Sequence, residues 1–232
     1  MPSFYCASLD NTSTSIILTG DEFHHLAHVL RHKTGDEVKI NSGKGWFGKG
    51  AISIINKTQA IIDITEVDYH NQDMHYAIAF SLLRSKHDEI LVEKVTELGV
   101  ADLFPFTSQY SVRTPSHNTI SRFQQTALSA IKQCDNPYLP IIHPIQDIPN
   151  ALETIINEGF KVVITSEQRP DRFIKDLPRQ IPYCFIIGPE GGFSCDEFKL
   201  FKLYDFEKVS LSSLILRAET AAIAAAAQLN ML

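Results

Sequence analysis

The chain has 232 residues, 44% of them hydrophobic and 21% charged, enough for one large globular domain or two smaller ones. Its formal net charge of −6 argues mildly against a nucleic-acid partner, because phosphate binding wants a basic face. Four cysteines without a C-x-x-C pair exclude a disulfide scaffold and point to a reducing, cytoplasmic setting. The N-terminus, MPSFYCASLDNTST, has neither the basic nor the apolar region of a signal peptide. The apolar stretch AAIAAAAQLNML is too short to span a bilayer, so no membrane partner is expected.

In chain order, the first 70 or so residues read as mostly β with one short helix. Phe23, Leu26, Val29 and Leu30 recur at helical spacing and predict a helix over 21–31. EVKIN (37–41), WFGKGAISII (46–55) and QAIIDITEV (59–67) are strand-like and closely spaced, which suggests a small barrel. The polar stretch DYHNQDMH marks a boundary, giving domains over 1–72 and 73–232. Beyond it, strands and amphipathic helices alternate. Strands are expected at 76–83, LFPFT, 160–166, 182–187 and 209–212, with helices near 88–98, 118–133 and 147–158 and an alanine-rich helix at the end. That alternation predicts an α/β domain with a mostly parallel sheet, in which ligands sit beyond the carboxyl ends of the strands. Three candidate ligand loops follow strands there: TSEQR with Ser166, GPEGG after Ile187, and SSLILR after Leu211.

Not every motif carries chemistry. GKGWFG (43–48) matches G-x-G-x-x-G formally, but it leads into a strand instead of a helix and reads as a hairpin turn. His24, His28 and His32 share a helical spacing that suits a metal, yet no Glu or Cys is placed to complete a set, and no metal is expected. The stretch Arg31, His32 and Lys33, with Lys44 and Lys49, reads instead as a solvated polar face or as a local basic footprint for RNA phosphates. GPEGG combines a fixed φ at Pro189 with glycines at 188, 191 and 192, so a ligand can approach the backbone, although a purely structural turn would also use these residues. After it, Ser194 and Glu197 have the spacing of a capping box. Arg217 falls near the start of the last helix, where the macrodipole disfavours a cation by roughly 0.3–1 kcal/mol. It therefore either pairs with a carboxylate, Glu190 or Glu219, or faces an anion.

IGPEGGFSCDE, followed by LSSLILRAETAA, resembles the C-terminal signature of the RsmE-type methyltransferases of the SPOUT superfamily. HHLAHVLRHKTGDEV and EKVTELGVADLFPF resemble further segments of that family, so the likeness spans most of the chain. It departs from the family at Ser3, at Tyr110 in SQYS, at Lys132 and Asn136 in KQCDN, and at Ser212 and Leu214. The resemblance implies a PUA-like RNA-binding β-barrel followed by a SPOUT α/β domain with a trefoil knot. It also implies a homodimer that uses S-adenosylmethionine to methylate N3 of a uridine in small-subunit (16S rRNA) ribosomal RNA. The cofactor would lie against Ser166, Ile187, Gly188, Gly191, Gly192, Leu211 and Leu216, with Arg217, Glu190 and Glu219 supplying the chemistry. Other readings are a SPOUT enzyme with another target, such as another base or a ribose 2′-OH, and a non-catalytic RNA-binding dimer. A nicotinamide oxidoreductase lacks its fingerprint.

Overall fold

The computed structural model describes residues 3–72, 75–84, 86–165, 172–178, 181–204 and 206–230. Two compact units emerge, Met1–Asp73 with Leu128–Leu139, and Met74–Ala127 with Pro140–Leu232.

Alternation of apolar and polar residues builds the first unit. In β2 (Ser15–Thr19) Ile16 and Leu18 point inward while their neighbours face solvent. Beside it in the chain are β1 (Phe4–Tyr5), β3 (Glu37–Asn41), β4 (Trp46–Ile55) and β5 (Gln59–Tyr69). They form one five-stranded sheet in the order β1-β3-β4-β5-β2, with β1 parallel to β3 and the other pairs antiparallel. Phe4, Leu9, Ile16, Leu18, Val38, Ile40, Ile52, Ala60 and Ile62 close its core with Phe23 and Leu26. GKGWFG is the β3–β4 hairpin, where Ser42 Oγ accepts from the amides of Lys44 at 2.9 Å and Trp46 at 3.0 Å.

The single helix differs from its expected form. α1 (Gly20–His24) widens into a π-helical turn over His25–Val29, and the Leu30 amide bonds back to the His25 carbonyl at 2.9 Å. Arg31 then takes a left-handed φ of 57°, which lets the His32 amide reach the Leu26 carbonyl at 3.1 Å and ends the helix. Periodicity alone does not separate a π turn from an α turn, because both keep Phe23 and Leu26 inside.

The second unit is an all-parallel sheet whose central strands are buried on both faces. Its elements are β6 (Ala77–Ser81), α2 (His87–Glu97), β7 (Asp102–Thr107), α3 (Thr119–Cys134), β8 (Ile141–Ile142), β9 (Gln146–Asp147), α4 (Ile148–Asn157), β10 (Lys161–Thr165), β11 (Tyr183–Ile187), α5 (Cys195–Phe201), β12 (Phe206–Val209) and α6 (Ala218–Leu229). The last turns of α3 belong to the first unit. Strand order is β12-β10-β11-β6-β7-β8, with β9 also pairing with β7. One face packs Ala77, Ala79, Phe104, Phe106, Val162, Ile164, Cys184 and Ile186 against Ala151, Leu152 and Ile155 of α4 and Phe201 of α5. The small residues of α6 pack toward β6, β11 and α2 on the other side. The chain runs outward from β6 through β7 to β8, then returns to insert β11 between β10 and β6. The order therefore reverses between β6 and β11, the place where open parallel sheets bind ligands. All four cysteines are free thiols, and burial pushes the Cys184 thiol well up.

Candidate active site

The register brings the strand ends level. Thr165 lies opposite Val209, Ile164 opposite Ile186, Ile187 opposite Phe80, and Ser81 opposite Phe106. The loops that follow β6, β7, β10, β11 and β12 therefore leave one edge of the sheet together. Thr165 Oγ1 donates to the Ile186 carbonyl at 3.2 Å, tying β10 to β11 at that edge. Ser166 and the rest of TSEQR lie outside the described residues.

Ile187 ends β11 and is buried. Gly188 starts the turn, with the Phe193 ring filling the space where its β-carbon would stand, 3.0 Å away. The Gly192 amide closes the turn on the Pro189 carbonyl at 2.9 Å, and Gly192 needs its φ of +72° to do so. Ser194 and Glu197 then form the expected capping box of α5. In the next loop Ser210 is buried, its amide on the Arg172 carbonyl at 2.9 Å and its hydroxyl on the Ser212 carbonyl at 3.0 Å. Leu211, half-buried, accepts at its carbonyl from Gln228 Nε2 of α6 at 3.0 Å. Leu216 is half-buried, whereas Leu214 and Ile215 are 74% and 76% exposed, so this loop presents apolar side chains to whatever it meets.

Arg217 is the N-cap of α6, with φ −65° and ψ 156°, and the helix begins at Ala218. Its exposed side chain has no ion pair among the described residues, and the cation stands at the positive end of the helix. Neither carboxylate offered by the sequence holds it. Glu219 pairs with His87 Nδ1 at 3.0 Å, and Glu190 Oε1 accepts from the Arg84 amide at 3.2 Å. That second bond joins the loop after β6 to the glycine turn after β11, across the point where strand order reverses.

Sequence reasoning missed the loop after β7. Ser81, Ser108 and Ser111 share hydroxyl contacts of 2.6 to 3.3 Å. The Gln109 amide donates to Glu197 Oε1 at 2.8 Å, and Tyr110 lies against Gly191. Next to it the buried carboxylate of Asp88 is paired with Arg113. No local pattern announces these contacts, most of which join segments 25 to 88 residues apart.

The basic footprint in the first unit is only partly available. Arg31 and Lys33 are exposed at the turn after the helix, where His32 Nδ1 contacts Asp36 at 3.1 Å. Lys44 donates to the Ala7 carbonyl at 3.2 Å, and Lys49 is neutralised by Glu66 at 2.8 Å. The residues that depart from the family meet one another: Ser3 donates to the Lys132 carbonyl at 2.9 Å, and Lys132 pairs with Glu22 at 2.6 Å. His24 and His28 rings lie 5.2 Å apart, and among the described residues no group of three His, Cys, Asp or Glu could hold a metal. Among the same residues no helix is long and apolar enough to cross a membrane.

A family model described as an RNA methyltransferase domain matches residues 70–230, and one described as an RNA methyltransferase PUA domain matches 18–65. The chain is 27% identical to ribosomal RNA small subunit methyltransferase E of Synechocystis, over 94% of this chain and 73% of that one. It is 28% identical to the protein of the same name from Rickettsia conorii, over 90% and 86%. In fold it is similar to the structure of ribosomal RNA small subunit methyltransferase E from Neisseria gonorrhoeae bound to S-adenosyl methionine, with a TM-score of 0.90 and 24% identity over 100% and 97% of the two chains. With an RNA methyltransferase domain matched over residues 70–230 and a PUA domain before it, the chain belongs to the RNA methyltransferase family.

Proposed function

We propose that this chain is an S-adenosylmethionine-dependent methyltransferase acting on N3 of a uridine in the 16S rRNA of the small ribosomal subunit. The reading is carried by one observation: the glycine turn and the 210–217 loop leave level strand ends, beside a guanidinium with no ion pair among the described residues. The names of its relatives agree with methylation of small-subunit ribosomal RNA. The residues fit the cofactor, because the turn leaves open space at Gly192 and Leu211 and Leu216 offer apolar surface for a purine. Ser166, Ile187, Gly188, Gly191, Gly192, Leu211 and Leu216 would hold it. When bound, S-adenosylmethionine supplies an electrophilic methyl group on a sulfonium.

This chain's own part is to make the nucleophile. Uridine N3 is protonated at neutral pH and attacks poorly until that proton leaves. Arg217 stabilises the negative charge that builds on the uracil oxygens. Glu190, exposed and with one oxygen on the Arg84 amide, is the better placed proton acceptor; Glu219 is held by His87. Residues 1–72 supply RNA affinity through Arg31, His32 and Lys33, with Lys44 and Lys49 as outer contacts, and 73–232 form the catalytic, knotted domain. The working form is a cytoplasmic homodimer with the alanine-rich α6 near its interface. Calorimetry with S-adenosylmethionine, followed by mass spectrometry of small-subunit RNA methylated by the protein, tests the reading. Binding and a methyl group on uridine N3 are expected; methyl on a ribose, or no binding, would refute it.

A further inference from the structure

The loop over residues 108–111 is held more firmly than a four-residue surface loop requires. Ser111 Oγ accepts from the Ser108 amide at 2.8 Å, and the Ser111 amide returns to the Ser108 carbonyl at 3.0 Å. Ser111 Oγ also lies 2.6 Å from the hydroxyl of Ser81 at the end of β6. One residue earlier, the Gln109 amide is bound to Glu197. These bonds fix the backbone on both sides of Tyr110, yet its ring is 47% exposed. Its hydroxyl has no hydrogen bond among the described residues. The ring rests against the glycine turn: a β-carbon on Gly191 would come 3.2 Å from Tyr110 Cβ and 3.6 Å from Cγ.

We propose that the Tyr110 ring stacks on the acceptor base and holds it beside the glycine turn. The inference deepens the function proposed above and rests on it. Sheet order supplies the direction. The loops assigned to the cofactor follow β12, β10 and β11, three neighbouring strands, whereas Tyr110 follows β7, beyond β6 on the opposite flank of the turn. With the methyl donor on the first flank, the acceptor comes from the second. A base drawn out of its RNA stack loses its π-contacts, and an aromatic ring on an already ordered backbone restores them at little entropic cost. Such a contact needs no positive charge, which suits a chain of net charge −6. Ring and guanidinium then have separate tasks, the first orienting the plane of the uracil and the second meeting charge on its oxygens.

The test compares Tyr110→Phe, Tyr110→Leu and Tyr110→Ala, using small ribosomal subunits that lack the methyl group and radiolabelled S-adenosylmethionine. Cofactor affinity by calorimetry and the melting temperature are measured on the same proteins. Rates are expected to fall in the order Tyr, Phe, Leu, Ala. The Ala variant should lose roughly 5- to 150-fold in kcat/KM, the size of one base–aromatic stack, with cofactor affinity and melting temperature retained. Equal rates for Phe and Leu, or full activity in Ala, would overturn the inference. So would a loss that appears in cofactor affinity, since the ring would then serve the donor. Failure of the unaltered protein to bind S-adenosylmethionine would sink the proposed function and this inference with it.

Discussion

At the scale of single residues, Arg217 is unusual in what it lacks. It caps α6 from the positive end of the dipole, and no carboxylate among the described residues holds it there. Removing it therefore breaks no native ion pair among those residues. Arg217→Ala is expected to leave the melting temperature and cofactor affinity near normal while cutting turnover about 10²–10³-fold, the usual cost of one preorganised donor. Raising the pH should restore part of the rate, because ionising the uridine N3 then needs less help; single-turnover methylation across pH measures this. Asp36 gives a prediction in the other direction. Its carboxylate accepts from the Lys33 amide at 2.8 Å and contacts His32 Nδ1, which together hold its carboxyl below the ordinary 3.8. The native carboxyl releases its proton more readily than the unfolded one. Its support of the turn is thus complete above the ordinary value and is lost as pH falls through the native value. A carboxyl-carbon titration should find the Asp36 midpoint below 3.8. The sequence exposed Arg217 because a cation beside a helix start conflicts with the dipole, a local rule. It marked Tyr110 only as a departure from the resembled family, not its contact with Gly191, 81 positions later and adjacent only after the sheet has formed.

Among the elements, α5 shows a cap with two duties. Glu197 Oε2 accepts from the Ser194 amide at 2.7 Å, completing the capping box, while Oε1 accepts from the Gln109 amide at 2.8 Å. Both partners are donors, so both oxygens are needed. Glutamine would turn its amide nitrogen toward one of those N–H groups, and Glu197→Gln is expected to destabilise nearly as much as Glu197→Ala. Each should cost about 1–2 kcal/mol, in the range of a lost cap, or roughly 2–8 °C in a thermal melt of a chain this long. Ser194→Ala removes one bond only and should fall at the lower end. The box itself was legible as Ser-x-x-Glu after a glycine turn; its second duty was not, because Gln109 lies 88 residues away. Parallel strands were legible for a related reason, since VVIT and YCFII are apolar on both faces and fit a sheet covered twice. The π turn after α1 was not legible: the spacing predicted one apolar face, of which the structure buries Phe23 and Leu26 and leaves Val29 and Leu30 exposed.

For the whole molecule, the segment 128–139 changes how the chain divides. A boundary near residue 72 follows from composition, but this segment belongs with the residues before it. Within that unit the Ser3 amide bonds to Lys132, Asn41 Nδ2 to the Asn136 carbonyl at 2.8 Å, and the Tyr138 hydroxyl to the His70 carbonyl at 2.6 Å. The side chains of Ile131 and Leu139 close over Gly43. Amphipathicity told that α3 has an apolar face, not which sheet receives it. Cutting the chain at 72 is therefore expected to damage both pieces. Residues 73–232 alone should expose Ile131 and Leu139, bind a hydrophobic dye and melt lower than the intact protein. Adding 1–72 in trans should reverse part of that loss; two independently stable fragments would contradict it. The same segment also has a consequence in time. A ribosome completes residues 1–73 well before it reaches 139, and at about 5–20 residues per second the delay is about 3–13 s. During that interval the nascent β-unit waits with its docking surface bare, so the part of the protein that is made first cannot finish folding first.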